Sequence, residues 1–186
     1  EITKKNNFIR LIKNNSNKGQ SYSIYKGIGV SKYKNIITLD GDGQNDPSDI
    51  LKILNVYESN ISLDLVGGLR INRKDQVYRI LLTYFFNVFL RIFTISRFKD
   101  MDSGFKIFSK KSVKKAISLK KYNSHFYMSE ICLKIIYMGY LFKEVNVNYF
   151  QRPSKSRATS FTKIPMMIFS FLINFVRLKN QLNKIK

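Results

Sequence analysis

The feature that most constrains this chain is an apolar run ending in an acid-glycine-acid turn, Asn35-Ile36-Ile37-Thr38-Leu39-Asp40-Gly41-Asp42-Gly43-Gln44. The isoleucine-rich half fits a strand buried on both faces of a parallel sheet. Ligands of such sheets gather beyond the carboxyl ends of the strands, where Asp40 and Asp42 fall, and Gly41 and Gly43 leave room for a sharp turn and a bulky ligand. Two carboxylates and the amide oxygen of Gln44 form a hard oxygen set. Mg2+ or Mn2+ prefers such ligands and keeps positions open for substrate phosphates. A calcium loop starting at Asp40 is excluded, because it would need glycine at Asn45 and glutamate at Leu51. Capping explains the next residues: Asp46 suits an N-cap, Pro47 the first helical position and Asp49 the third. It does not explain Asp40 and Asp42.

The order of elements points to an α/β domain with a largely parallel sheet. Phe8–Ile12 reads as a short strand, Gln20–Ser31 as a helix, Pro47–Glu58 as a helix with a wide apolar face, and Leu63–Gly68 as a strand. Tyr78–Ile95 is apolar almost all round, with one polar stripe of Arg79, Thr83, Asn87, Arg91 and Thr94. Asn87 and Arg91 would sit near the centre of a bilayer, which disfavours a spanning helix and leaves one buried in the protein or one lying in a membrane interface. Gly104–Phe108 reads as a strand, Ser124–Met138 as a helix ended by Gly139, and Leu141–Tyr149 as a strand with one wetter face. Pro165 starts a last helix whose apolar stretch, Ile164–Val176, is too short to span. With its basic tail it suits either anionic lipid or its own domain.

The 186 residues suit one domain, and 44% hydrophobic residues suffice for a core. The division expected is a catalytic domain over 1–161 and an amphipathic basic helix over 162–186. Cys132 and His125, the only residues of their kinds, supply neither a disulfide nor a zinc site and read as structural. A net charge of +21 suits a polyanionic partner. The lysines are scattered beside isoleucine and asparagine, however, and no nucleic-acid module is present, so no nucleic acid is expected as partner.

Four segments in order resemble glycosyltransferase family 2, in its dolichyl-phosphate mannose synthase-like branch. They are Asn17-Lys18-Gly19-Gln20-Ser21 with Gly27; Thr38 to Pro47; Val66-Gly67-Gly68-Leu69-Arg70 with Arg73, followed by Lys99-Asp100-Met101-Asp102-Ser103-Gly104-Phe105-Lys106; and Glu144-Val145 with Arg152 and Ser154-Lys155-Ser156-Arg157. The resemblance implies a GT-A type, Rossmann-like fold with a mostly parallel sheet, flanking helices and amphipathic membrane-interface helices. It implies metal-dependent inverting transfer of a sugar from a nucleotide-sugar, UDP- or GDP-linked, to a polyprenyl phosphate, by a peripheral protein on the cytoplasmic face of a membrane.

On this resemblance Asp40, Asp42 and Gln44 hold Mg2+ or Mn2+ at the donor diphosphate, with Asp40 also near the nucleotide. Lys18, Arg70, Arg73, Arg152, Ser156 and Arg157 hold donor and acceptor phosphates. Asp100, or else Asp102, faces the sugar or orients the nucleophile. The family's opening strands, with their Pro-x-x-Asn-Glu pattern and Asp-rich turn, are not found, which reads as N-terminal truncation. Ser154 stands where the family has glycine, in a loop one residue short. A transferase acting on a polysaccharide or other glycan, a noncatalytic nucleic-acid-binding protein and a noncatalytic remnant are the rival readings.

Overall fold

The expected alternation is realised in a computed structural model that describes residues 6–151 and 164–185. In order, the described residues form α1 (Gly19–Val30), β1 (Asn35–Thr38), α2 (Asp49–Glu58), β2 (Leu63–Ile71), α3 (Val77–Phe93), β3 (Lys106–Ser109), α4 (Lys110–Ser118), α5 (Tyr127–Tyr137), β4 (Leu141–Asn148) and α6 (Ile164–Asn183). Phe8–Ile12 is not a strand: the segment forms a turn and irregular backbone, with the Phe8 ring 96% exposed. Apolar residues alone do not make a strand where no neighbouring strand pairs with them.

The sheet order is β1-β3-β2-β4. β2 and β4 pair in parallel, whereas β3 pairs antiparallel with both β1 and β2. Three strands therefore share a direction and the expectation of a mostly parallel sheet holds for orientation, but the sheet is mixed, because β3 runs against the rest. The reason lies in the connection. After α3 the chain re-enters the sheet at its carboxyl rim, with Lys106 opposite Thr38 and Gly67. Residues just before Lys106 thus meet residues just after Thr38, and this topology assembles the site.

Apolar side chains fill both faces of the sheet. On one side Ile53 of α2 packs with Val66, Phe105, Ile107 and Val147. On the other, Leu65 and Phe108 meet a larger cluster that includes Phe98, Ile131 and Phe175. At the centre of that layer α5 is buried over its whole length, and Cys132 is a core residue within it, its thiol pushed up to about 12 by burial. His125 is exposed.

α3 is apolar on both its outer and its inner side, with Asn87 as a buried polar residue among Phe86, Phe89 and Leu90. Leu81, Phe85 and Ile92 face outward, whereas Asn87 and Leu90 are buried. Thr83, Asn87 and Thr94 satisfy themselves on carbonyls one turn back, at 2.8, 2.9 and 2.6 Å. The polar stripe at its middle therefore points into the protein. α6 lies against α3, with the Phe171 ring 5.0 Å from Phe86 and 5.8 Å from Phe89, so its inner face belongs to the same core. Its other face exposes Met166, Phe169 and Val176. Among the described residues no helix is long and apolar enough to cross a membrane.

Candidate active site

Two chain segments converge at the carboxyl rim. The first is the acidic turn after β1. Thr38 Oγ1 donates to the Gly104 carbonyl at 2.7 Å, tying the end of β1 to the segment before β3. The Asp40 carboxylate then lies against the Gly104 backbone so closely that a Cβ at position 104 would collide with it. Asp40 also accepts from Gln20 Nε2 at 3.0 Å, so the first turn of α1 is drawn to the site. Asp42 Oδ1 accepts the Gln44 amide at 3.2 Å, which closes the turn on itself. Gln44 is joined to Phe150 twice: its carbonyl accepts Phe150 N at 2.7 Å and its side-chain nitrogen donates to the Phe150 carbonyl at 3.3 Å. Gln44 therefore fastens the turn to the end of β4.

The second segment is the loop 99–103, which carries Asp100 and Asp102. Asp100 is buried and accepts both arms of the Arg70 guanidinium, Nε and Nη2, at 2.7 Å each. Burial opposes the Asp100 charge, but Arg70 beside it holds its carboxyl below the usual range. Burial likewise opposes the Arg70 charge, and Asp100 holds that guanidinium above its ordinary value. Asp102 is different. It remains partly accessible, receives Ser129 Oγ at 3.3 Å, and is lifted to about 6 by burial, against the pull of Arg70 and with a push from Asp100. Tyr127 stands in the field of both Asp40 and Asp102, and its phenol is raised first by burial and then by those two carboxylates.

The loop backbone is held by side chains of three other elements. Glu144 of β4 accepts the Lys99 and Asp100 amides at 2.7 and 2.8 Å, one on each oxygen. Asn87 Oδ1 of α3 accepts the Met101 amide at 3.0 Å. Lys106 Nζ, fully buried, donates to the Ser103 carbonyl at 2.5 Å and the Asp100 carbonyl at 3.4 Å. Sequence alone does not nominate Glu144, Asn87, Lys106, Gln20 or Tyr127 as site residues. For Gln20, Lys106 and Glu144 a signal existed in their place within the matching segments. For Asn87 it was the polar stripe, and for Tyr127 there was none.

The remaining nominated residues divide. Lys18 precedes α1 on the exposed surface, its ammonium 5.1 Å from the Tyr22 ring centre. Arg73 is paired with Asp75 at 2.8 Å, and Arg70 and Arg73 both lie over the Tyr149 ring, at 5.3 and 5.6 Å. Arg152, Ser156 and Arg157 lie outside the described residues.

Among the described residues no group of three or more His, Cys, Asp or Glu side chains forms a cage for a metal. The residues present still fit a divalent cation that takes part of its shell from a ligand, because such ions are held by one or two carboxylates plus substrate phosphates. Asp40 and Asp42 supply that pair. Asn45, three residues after Asp42 in the chain, has a buried Oδ1 with no hydrogen-bond partner among the described residues.

A family model, that of Glycosyl transferase family 2, matches residues 1–120. An uncharacterized protein of Methanocaldococcus jannaschii is 33% identical over 109 residues, covering 53% of this chain and 47% of that protein. The dodecaprenyl-phosphate galacturonate synthase of Rhizobium johnstonii is 39% identical over 70 residues, covering 38% and 20%. The dolichyl-phosphate beta-glucosyltransferase of Dictyostelium discoideum is 28% identical over 117 residues, covering 58% and 36%. The chain spans less than half the length of each of these relatives. Among solved structures, glucosyl-3-phosphoglycerate synthase from Mycobacterium tuberculosis, in complex with Mn2+ and uridine-diphosphate-glucose, superposes with a TM-score of 0.65 at 10% identity, covering 92% of this chain and 56% of that one. That likeness bears out the expected GT-A type of α/β fold.

Proposed function

The chain belongs to Glycosyl transferase family 2, and from that premise we propose that it transfers a sugar from a nucleotide-sugar to a polyprenyl phosphate at a membrane surface. The observation that carries this reading is the seat of Asp40 on Gly104. It joins an acidic turn suited to a metal-bound diphosphate to the loop that carries Asp100 and Asp102. The names of the curated relatives from Rhizobium and Dictyostelium support a polyprenyl or dolichyl phosphate acceptor, and the Mn2+ and uridine-diphosphate-glucose complex of the mycobacterial neighbour supports a divalent metal and a nucleotide-sugar donor.

In this reading Asp40 and Asp42 hold Mg2+ or Mn2+, with Gln44 fixing the turn against β4. The bound cation supplies charge stabilisation for the diphosphate that leaves. An oxygen of the acceptor phosphate forms the new bond to the anomeric carbon from the side opposite the leaving group, and the bond from that carbon to the donor diphosphate breaks. The nucleoside diphosphate departs and the anomeric centre inverts. A phosphate monoester is anionic near neutral pH, so no strong base is needed. Asp102, more accessible than Asp100, takes the position facing the sugar. Arg70 acts by holding Asp100 rather than by presenting a free fork to phosphate. Lys18, Arg73, Arg152, Ser156 and Arg157 remain the candidate phosphate ligands, and the apolar outer faces of α3 and α6 provide contact with the bilayer beneath a basic protein.

A second reading, transfer to a hydroxyl of a glycan, has one observation in its favour. A hydroxyl nucleophile needs a base, and a carboxyl lifted to about 6, as at Asp102, suits that task better than an ordinary aspartate.

The test is to give membranes carrying the protein labelled UDP-glucose or GDP-mannose, polyprenyl phosphate and Mn2+, and to count label extracted into organic solvent. Metal-dependent extraction that disappears in Asp42→Asn is the expected result. Label appearing only in a water-soluble glycan would replace this acceptor with the second one, and no transfer with either donor would count against both readings.

A further inference from the structure

The loop 99–103 has little secondary structure of its own, yet its polar backbone groups have prominent side-chain partners drawn from three separate elements. Glu144 stands out among them. Its two oxygens take consecutive amides, Lys99 at 2.7 Å and Asp100 at 2.8 Å. Backbone N–H groups donated to a carboxylate form charge-assisted bonds, shorter and stronger than neutral ones. The clamp therefore fixes the orientation of the two consecutive peptide planes that lead into Lys99 and Asp100, three and two residues ahead of Asp102. Glu144 itself is immobilised by its place on β4, paired in register with Gly67 of β2. The buried Lys106 ammonium lies among the carboxylates of Asp100, Asp102 and Glu144, and its field favours the ionised form of each. From below, Asn87 takes the next amide, that of Met101.

We propose that Glu144 is a positioning residue of the transfer reaction: it sets the place of Asp102 relative to Asp40 by clamping the Lys99 and Asp100 amides, and it touches no substrate. This rests on the functional reading above. Its chemical content is that the clamp needs an acceptor on both oxygens. Glu144→Gln keeps the size and one acceptor but turns an NH2 group toward an amide N–H. One peptide plane must then swing away, and Asp102 moves with it.

Two measurements on the wild type and Glu144→Gln decide the matter. Amide hydrogen exchange is expected to quicken by about tenfold or more in the peptide spanning 98–103, while the β2 and α5 amides keep their rates. In the transfer assay, kcat is expected to fall by about ten- to a hundredfold, the range that misplacement of a reacting group by about 1 Å produces, with KM for the nucleotide-sugar unchanged. Loop exchange equal to wild type, exchange quickened throughout the chain, or a quickened loop with kcat intact would each overturn the positioning role. Exchange is measured without catalysis. A wild type that transfers no sugar would therefore sink the functional reading alone, and the exchange pattern would still decide whether Glu144 clamps the loop.

Discussion

Asp100 and Arg70 face each other inside the protein as a two-point pair, Nε to Oδ2 and Nη2 to Oδ1 at 2.7 Å each, with the Arg70 backbone amide adding a third bond to Asp100 at 3.2 Å. Breaking a buried pair strands the other charge, at a cost of about 3–5 kcal/mol. Arg70→Met is expected to lose that much in urea unfolding. Asp100→Asn with Arg70→Met in the same chain, which leaves no unpaired charge, is expected to lose less than the single variant.

Asp102 makes stability depend on pH in a predictable direction. Its folded value near 6 lies above that of an unfolded aspartate, so between about pH 4 and pH 6 the native state holds a proton that the unfolded state has released. The contribution is complete below pH 4, is lost as pH rises through 6, and amounts to at most about 3 kcal/mol. Thermal unfolding of Asp102→Asn followed across this window is expected to show a smaller decline with rising pH than the wild type.

Gly104→Ala puts a methyl group on the Asp40 carboxylate. Overpacking of this kind costs about 1–3 kcal/mol, and displacement of Asp40, proposed as a metal ligand, should appear as roughly five- to a hundredfold weaker Mn2+-dependent nucleotide binding. Calorimetric titration with UDP and Mn2+ measures it, beside a melting curve to confirm the fold.

Asp42→Asn removes half of the carboxylate pair while its amide oxygen can still accept the Gln44 N–H bond that closes the turn. Transfer is expected to drop by about a hundredfold or more with stability almost unchanged. Equal loss of transfer and of melting temperature would reassign Asp42 to a structural role.

Far from the site, Glu130 and Lys134 form a fully buried pair on α5 at 2.7 Å, and Glu130 also accepts the Tyr122 and Asn123 amides. Glu130→Ala leaves a buried ammonium and two N–H groups without their acceptor. The expected loss in urea unfolding is about 3–5 kcal/mol.

Several features of the fold and site were legible in sequence. Asp40 and Asp42 stand out because a strand and two glycines bracket them, and the helices followed from periodicity, although α2 begins at Asp49 after Ser48 rather than at Pro47 after Asp46 and α5 at Tyr127 rather than Ser124; Gly139, with φ of +79°, ends α5 as expected. Other features were hidden for a common reason: sequence displays a charge but not its partner. Arg70 looked like a phosphate fork, yet its fork is taken by Asp100, thirty residues on in the chain. Glu144 stood within a matching segment, but its role was hidden, since the groups it binds are backbone amides with no side-chain signature. Phe8–Ile12 had strand-like composition, but pairing is a property of a neighbour rather than of the segment. The reversal of β3 was equally invisible, because periodicity cannot report which rim of a sheet a strand enters.

The two sides of α3 keep two duties apart. Asn87, which fastens the Met101 amide, is on its inner side, and Leu81, Phe85 and Ile92 are on its outer side. The outer residues can therefore drift in sequence without disturbing the geometry of the acidic loop. A substitution at Asn87 has no such freedom. In this helix Asn87 should resist change as firmly as the buried Leu90, and the outward apolar positions should vary.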